Sequence, residues 1–395
     1  MRIKHLILAA SVVLSTLAGA APNEVKIAHI IDKSGPIESF ATASSIGMMM
    51  GLEYATDGKM EVAGKKITVL TKDSQFKPEI GKTLLHAAYK DEKVDLAVGP
   101  TGSNVALAMV PIAQEHKKIL ILDAAAAEYL TGKKGNRYIF RTGRNSDQEA
   151  YANAAILGRP GNFIATLAPD YAFGREAIHS LREALGKTPA KLVHEEFAPL
   201  GTTDFTAQAQ RIFNALKNQP GRKLLWITWV GAGNPFKILD LEPHRYGIEV
   251  VTGGMILPVL PTYKPLVGME GATHYYFQCP KNAANDWLVQ EHFKRYSTPP
   301  DFFTATGMMT GIAIVEALKK TKGNTDTETL IKALEGMRYE SPKGSVYFNK
   351  DNHQLMQAMY HFRIKLDDKI AGGVGMECVK DVKIEEMDFP VEKLK

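Results

Sequence analysis

The sequence predicts an α/β protein made of two doubly wound parallel sheets, and three observations carry that prediction. Short β-rich runs alternate with amphipathic helical stretches, the rhythm restarts once after residue 142, and there are strands that are continuous apolar runs. Ile119, Leu120, Ile121 and Leu122 are such a run. Strands covered by helices on both faces read this way, and a repeated βαβα order selects a parallel sheet.

In the first block strands are expected at 25–32, 66–74, 95–99, 119–123 and 138–142, with helices at 44–55, 78–91 and 105–116. Pro78 sits in the first turn of its helix, where its missing N–H costs nothing. The second block gives strands at 163–168, 191–197, 224–230 and 249–252, with helices at 176–185, 205–218 and 236–241. Phe205, Ala209, Ile212, Phe213 and Leu216 share one helical face, the stripe that turns to a core. The last third departs from the rhythm: a strand at 274–278, helices at 284–296, 305–319 and 327–334, then strands at 345–348 and 359–366. Such a segment packs back onto existing sheets, so the chain crosses between domains more than once. That connectivity makes a hinge and a cleft, which suits binding by closure.

The first twenty residues stand apart. Arg2, Lys4 and His5 precede an uncharged apolar run from 6 to 17, and Ala18, Gly19 and Ala20 supply small residues at a cleavage site. This is the pattern of a secretory signal peptide, too short to span a bilayer. A mature chain beginning at Ala21 is expected in the periplasm. Its length exceeds one comfortable core.

The formal net charge is +5, with the two signs mixed along the chain, so no basic stripe marks a nucleic-acid or anionic-membrane partner. The two cysteines, Cys279 and Cys378, are too far apart in sequence for a metal knuckle or a CxxC motif. Export permits a disulfide between them, and two buried thiols are the other reading.

Enzyme chemistry is not expected. The chain holds no GxSxG elbow, no HExxH and no GxxxxGK[ST] phosphate loop. Gly231-Ala232-Gly233 follows a strand but lacks the third glycine of a dinucleotide turn. The eleven histidines, His29, His86 and His116 among them, show no ligand spacing, so neither a metal nor a cofactor is expected.

From Val25 the chain reads VKIAHIIDKSGPIESFATASSIGMMMGLEYA. It continues through VDLAVGPTGSNVALAMVPIAQE, KILILDAAAAEYLTG, NRYIFRTGRNSDQEA, APDYAFGREA, LLWITWVGAGNPFKIL and GSVYFNKDNHQLMQAMYHFRI. In order and spacing these segments resemble the leucine/isoleucine/valine-binding proteins of ABC importers, over essentially the whole mature chain. The resemblance implies a type I periplasmic binding protein: two Rossmann-like lobes, three crossovers and a ligand cleft between the lobes. It implies lobes of 21–142 with 279–346 and of 143–278 with 347–395, a permease as partner, and a monomer that binds a small molecule. A ligand-sensing domain feeding a signalling partner is the alternative function.

Carried over by position, Ser103 stands where the family grips a ligand carboxylate, at a helix start suited to an anion. Plain capping of that helix is the alternative role. Asn104 lies beside it. Ala125 and Ala126 match a loop whose backbone meets the ligand, Ala126 replacing a frequent threonine. Phe40 and Phe173 match aromatic pocket walls, and Gly231 and Ala232 a loop on the second lobe. The family's ammonium-binding glutamate is missing from VVTGGMILP, where Met255 or Gly254 takes its place. A buried ammonium needs an anionic partner. Asp123 and Asp170 are the nearest substitutes, and the simpler expectation is an aromatic or aliphatic acid without an ammonium group. Trp229 would suit such a ligand, whereas Trp226 in the same strand reads as core.

Overall fold

The computed structural model describes residues 23–253 and 257–394, so the signal-peptide segment and Met255 lie outside the described residues. In chain order the strands of the first sheet are β1 (Glu24–Ile31), β2 (Glu61–Val62), β3 (Lys65–Asp73), β4 (Leu96–Val98), β5 (Leu120–Leu122) and β6 (Ile139–Arg141). They lie in the order β2-β3-β1-β4-β5-β6, parallel except for β2 at the edge. Helices α1 (Glu38–Ala55), α2 (Pro78–Lys90) and α3 (Ser103–His116) connect them. The chain steps outward from β1 to β3 and then back across to β4. Right-handed crossovers therefore put α1 on one face and α2 and α3 on the other.

The second sheet has the order β10-β9-β7-β8, all parallel, from β7 (Asn162–Pro169), β8 (Lys191–Ala198), β9 (Arg222–Ile227) and β10 (Ile248–Thr252). Helix α4 (Ser146–Leu157) leads into it, and α5 (Ala172–Gly186) and α6 (Thr206–Leu216) connect its strands. The expected stripe of α6 is buried at Phe205, Ala209, Ile212, Phe213 and Leu216. The expected helix at 236–241 is a 3-10 helix, Pro235–Leu241.

Two small antiparallel sheets complete the chain: β11 (Glu270–Thr273) with β15 (Met359–Leu366) and β16 (Val374–Val382), and β12 (Arg338–Ser341) with β13 (Gly344–Phe348) and β14 (Leu355–Met356). The strand expected at 274–278 forms instead at β11, a few residues earlier. Of the two readings left open for the cysteines, the bonded one is found: Cys279 and Cys378 are joined, tying the segment after β11 to β16.

Helices α7 (Ala283–Tyr296), α8 (Phe302–Lys320) and α9 (Thr327–Leu334) return to the first sheet. Helix α8 lies along α1 at backbone distance, because glycines face each other. A Cβ at Gly47 would fall 1.9 Å from the Thr304 carbonyl oxygen, and one at Gly307 2.0 Å from that of Ser44. Gly51 and Gly311 repeat the contact one turn on.

Three passages of chain run between the two large sheets and meet at one point. Gln354 pairs with Arg141 beyond the edge of β6. The Gln357 side-chain amide donates to the Thr142 carbonyl at 3.2 Å, and Lys343 Nζ donates to Gln357 Oε1 at 3.0 Å. Lys343 also lies 3.2 Å from His274 Nδ1. Burial pushes the pKa of both Lys343 and His274 well below their ordinary values. Helix α10 (Ile384–Met387) closes the chain against α4.

Candidate functional site

A doubly wound sheet opens a crevice beyond the carboxyl ends of its strands, at the point where strand order reverses. In the first sheet that point lies between β1 and β4, in the second between β7 and β9. The loops leaving these strands face one another across a cleft of about 360 Å³. Pro36, Ser39 and Phe40 come from the β1 side, and Phe173, Trp229, Gly231, Ala232 and Phe236 from the second sheet. A narrow recess adjoins it, lined by Thr101, Ser103, Ala124, Ala126 and Tyr171. Arg144, Phe173 and Val230 border both spaces.

The walls are aromatic. Phe40 meets Phe303 edge to face at 5.2 Å, and Phe173 lies 5.9 Å from Tyr171. Phe302, Tyr263 and Trp229 add three further rings. Trp229 faces the cleft whereas Trp226 is core. Phe76 of the first sheet's loops touches Tyr171 edge to face, so the two sides meet above the recess. Tyr171 donates its hydroxyl hydrogen to the Val230 carbonyl at 3.1 Å. Burial pushes its pKa far up, which keeps the phenol neutral. Gly231 has φ +127°, and a Cβ there would strike Leu200 at 2.6 Å. Only glycine turns the chain this closely under the second wall.

The floor is polar and fixed. Asp32, fully buried, accepts from the Gly102 N–H at 2.7 Å and the Ser74 hydroxyl at 2.5 Å. Desolvation raises its pKa in spite of these bonds. The bond to Gly102 holds the first turn of α3 against the recess. Ser103 does not cap its own helix: its hydroxyl oxygen accepts from the Ala127 N–H at 3.2 Å and ties the 124–127 loop in place. Its hydroxyl hydrogen has no acceptor among the described residues.

Arg144 is the cation of this site. It is 3 % exposed, and its Nε donates to Glu149 Oε1 at 2.8 Å. Its Nη1 donates to the Ala124 carbonyl at 3.2 Å. The Phe302 and Phe303 rings lie 5.3 and 5.9 Å from the guanidinium carbon, within cation–π range. The remaining Nη2 edge has no hydrogen bond among the described residues. Neither Arg144 nor Glu149 was anticipated from sequence. The available signal was Asn145 followed three residues later by Gln148, a capping box that starts α4 immediately after Arg144. A basic residue at a strand-to-helix turn facing the crevice is a ligand candidate.

The anticipated residues divide. Phe40, Phe173, Gly231 and Ala232 line the cleft, and Ser103 and Ala126 line the recess. Asp123 does not reach either space: it is fully buried beneath them, accepting from Ser44 Oγ at 2.6 Å. Ala125 also lies behind the wall, its carbonyl 3.3 Å from Arg141 Nη1. Asn104 borders neither space. Asp170 is exposed and paired with Arg175 at 2.7 Å. Met255 lies outside the described residues.

Comparison with known proteins agrees with this architecture. Residues 24–370 match the family described as periplasmic binding protein. A crystal structure of an ABC-type branched-chain amino acid transporter from Rhodopseudomonas palustris CGA009 is 52% identical, covering 94% of this chain and 100% of that one, with a TM-score of 0.83. A solute-binding protein of an ABC transporter from Rhodopseudomonas palustris BisB5, in complex with 3,4-dihydroxybenzoic acid, is 26% identical over 92% of this chain and 98% of that one, with a TM-score of 0.79. The Leu/Ile/Val-binding protein homolog 6 of Brucella abortus (strain 2308) is 23% identical over 389 residues, 92% of this chain and 94% of its own.

Proposed function

The chain belongs to the periplasmic binding protein family, and from that premise we propose that it captures a small aromatic carboxylate without an ammonium group and presents it to an importer. It is an extracytoplasmic solute-binding component of an ABC importer of the branched-chain amino acid class. One observation carries the choice of ligand: a buried guanidinium with one free edge, set among aromatic rings. The ligand carboxylate takes the Nη2 edge of Arg144 and the Ser103 hydroxyl, aided by the N-terminus of α3. Its ring fills the space between Phe40, Phe173, Trp229 and Phe302. Glu149 is the acid of the cleft wall, and its bond to Arg144 occupies it, which argues against its serving a ligand ammonium. The bound 3,4-dihydroxybenzoic acid of the 26%-identical relative supports the same class.

The lobes of this reading are 23–142 with 279–356, and 143–278 with 357–394. A third crossover ten residues later than the sequence suggests is supported by Tyr347 lying inside β13 and by the pairing of Gln354 with Arg141. Ligand enters between open lobes, rotation about the crossovers removes it from water, and the closed form docks on the permease. No bond is made or broken. Residues 1–20 act as the export signal and the protein works as a monomer.

A thermal-shift screen tests the ligand. The panel holds benzoate-type acids and 2-oxo acids beside leucine, isoleucine, valine and phenylalanine. A ligand at about 1,000 times its Kd stabilises by roughly 4 kcal/mol, which moves the midpoint by several degrees. Shifts with the acids alone support the reading. Shifts with the amino acids alone overturn it and make Glu149 the ammonium partner.

A further inference from the structure

On the outer flank of the first lobe, α2 and α3 pack together and bring three donor side chains to one spot. His86 Nδ1 lies 3.0 Å from His116 Nε2 and 3.9 Å from Glu115 Oε1. One donor atom from each of the three falls within 4.8 Å of the others, and among the described residues no other trio of histidine, cysteine, aspartate or glutamate does so. The sequence hid this, because His86 and His116 stand thirty residues apart on different helices. The histidines are scattered along the sequence, and the packing of α2 on α3 is what brings these two together.

We propose that His86, Glu115 and His116 form a binding site for a divalent transition-metal ion of the zinc type. Two imidazole nitrogens each about 2.0–2.1 Å from one ion stand roughly 3.0–3.4 Å apart, which is the spacing found. Glu115 Oε1 must close by about half an ångström on His86 Nδ1, and its exposed side chain is free to swing further toward His116 Nε2, which lies within 4.8 Å. Two nitrogens and one oxygen select a borderline ion such as Zn²⁺ over Mg²⁺ or Ca²⁺, which prefer all-oxygen shells. Three protein ligands leave a fourth position for water. The side chains of His86 and Glu115 are 38% and 60% exposed, so an ion reaches the site from solvent. Lys90 and Lys93 act electrostatically on His116, and their charge holds the affinity down.

The ion would pin the end of α3 to the middle of α2. Ser103 and His116 are the two ends of α3, about 20 Å apart at 1.5 Å per residue. The metal therefore stabilises the lobe without touching the ligand cleft.

Equilibrium dialysis of the purified protein against Zn²⁺, with metal content measured afterwards, tests the site. Wild type is expected to retain one equivalent and to melt at a higher temperature with Zn²⁺ than with a chelator. The H86Q/H116Q double variant is expected to lose at least about tenfold in affinity together with the thermal response. E115Q is expected to lose less. Retention of the same equivalent by the double variant overturns the proposal, as does wild type that takes up no metal. In the latter case the 3.0 Å contact is an N–H···N hydrogen bond between the two rings. Co²⁺ absorption gives a second readout: the site gives visible bands typical of a low-coordinate nitrogen–oxygen set, and a double variant shown by circular dichroism to be folded gives none.

Discussion

Two arginines three residues apart, Arg141 at the end of β6 and Arg144 just beyond it, are both buried, yet they do different work. Arg141 is fully enclosed, and protein acceptors surround its guanidinium. Nε donates to Gln354 Oε1 at 2.5 Å, Nη1 to the Ala127 carbonyl at 2.6 Å, and Nη2 to Thr131 Oγ1 at 2.5 Å and the Glu128 carbonyl at 3.2 Å. Burial without a bonded carboxylate lowers its pKa to about 9, which still leaves it charged at neutral pH. Arg144 has a carboxylate partner and an unused edge, and it borders both parts of the cleft. A buried cation whose donors are all consumed is a clamp, holding the 125–131 loop to the crossover at Gln354. A buried cation with a donor to spare is a receptor for an anion.

Removing the clamp should produce the largest effect. R141M strands several buried acceptors at once, and each unsatisfied group costs about 1–3 kcal/mol. A stability loss of roughly 3–5 kcal/mol in chemical denaturation is expected. A loss below about 1 kcal/mol would remove the distinction between the two arginines. The covalent tie of the second crossover ranks next. C279S/C378S opens a link across a sequence separation of 99, with an expected cost of about 2–4 kcal/mol.

For the receptor the pattern reverses. In R144M/E149L both charges of a buried pair go together, and replacing such a pair by apolar side chains of similar volume is often close to neutral for stability. Binding of a carboxylate loses a charge-assisted hydrogen bond of about 1.5–3 kcal/mol, so affinity should fall roughly 10- to 150-fold by calorimetry. Intact affinity in a folded double variant would show that Arg144 does not hold the ligand.

A subtler difference lies in the clamped loop. Burial and the neighbouring Asp147 push the Glu128 carboxyl up to about 7. A carboxyl that binds its proton more tightly when folded favours the folded state at low pH. Its contribution is therefore lost as pH rises from about 4.5 to 7, by roughly 2 kcal/mol after allowance for partial exposure. E128Q should flatten that part of the stability profile. The smallest effect is expected from S103A, which removes one neutral hydrogen bond of about 0.5–1.5 kcal/mol and weakens binding up to roughly tenfold.

The regular elements were legible because each is a local pattern. Continuous apolar strands such as 119–122, the repeated βαβα order and the stripe of α6 announce two parallel sheets. Phe40, Phe173 and the Gly231 turn follow, since residues just beyond strand ends must face the crevice. What could not be read depends on pairings distant in sequence. The glycine contact of α1 with α8 joins residues some 260 positions apart. Asp123 looked like a cleft residue at a strand end, and only packing shows Ser44 and His29 covering it. Arg144 and Glu149 are the local exception: only five residues apart, they pair across the first turn of α4, and no repeating pattern marks such a contact.

The most direct test titrates benzoate and phenylalanine calorimetrically into wild type and E149Q. If Arg144 receives a carboxylate and Glu149 serves only to hold Arg144, wild type binds benzoate and not phenylalanine, and E149Q binds benzoate at least as tightly. Binding of phenylalanine by wild type, lost in E149Q, would contradict the account and identify Glu149 as the acid that meets a ligand ammonium.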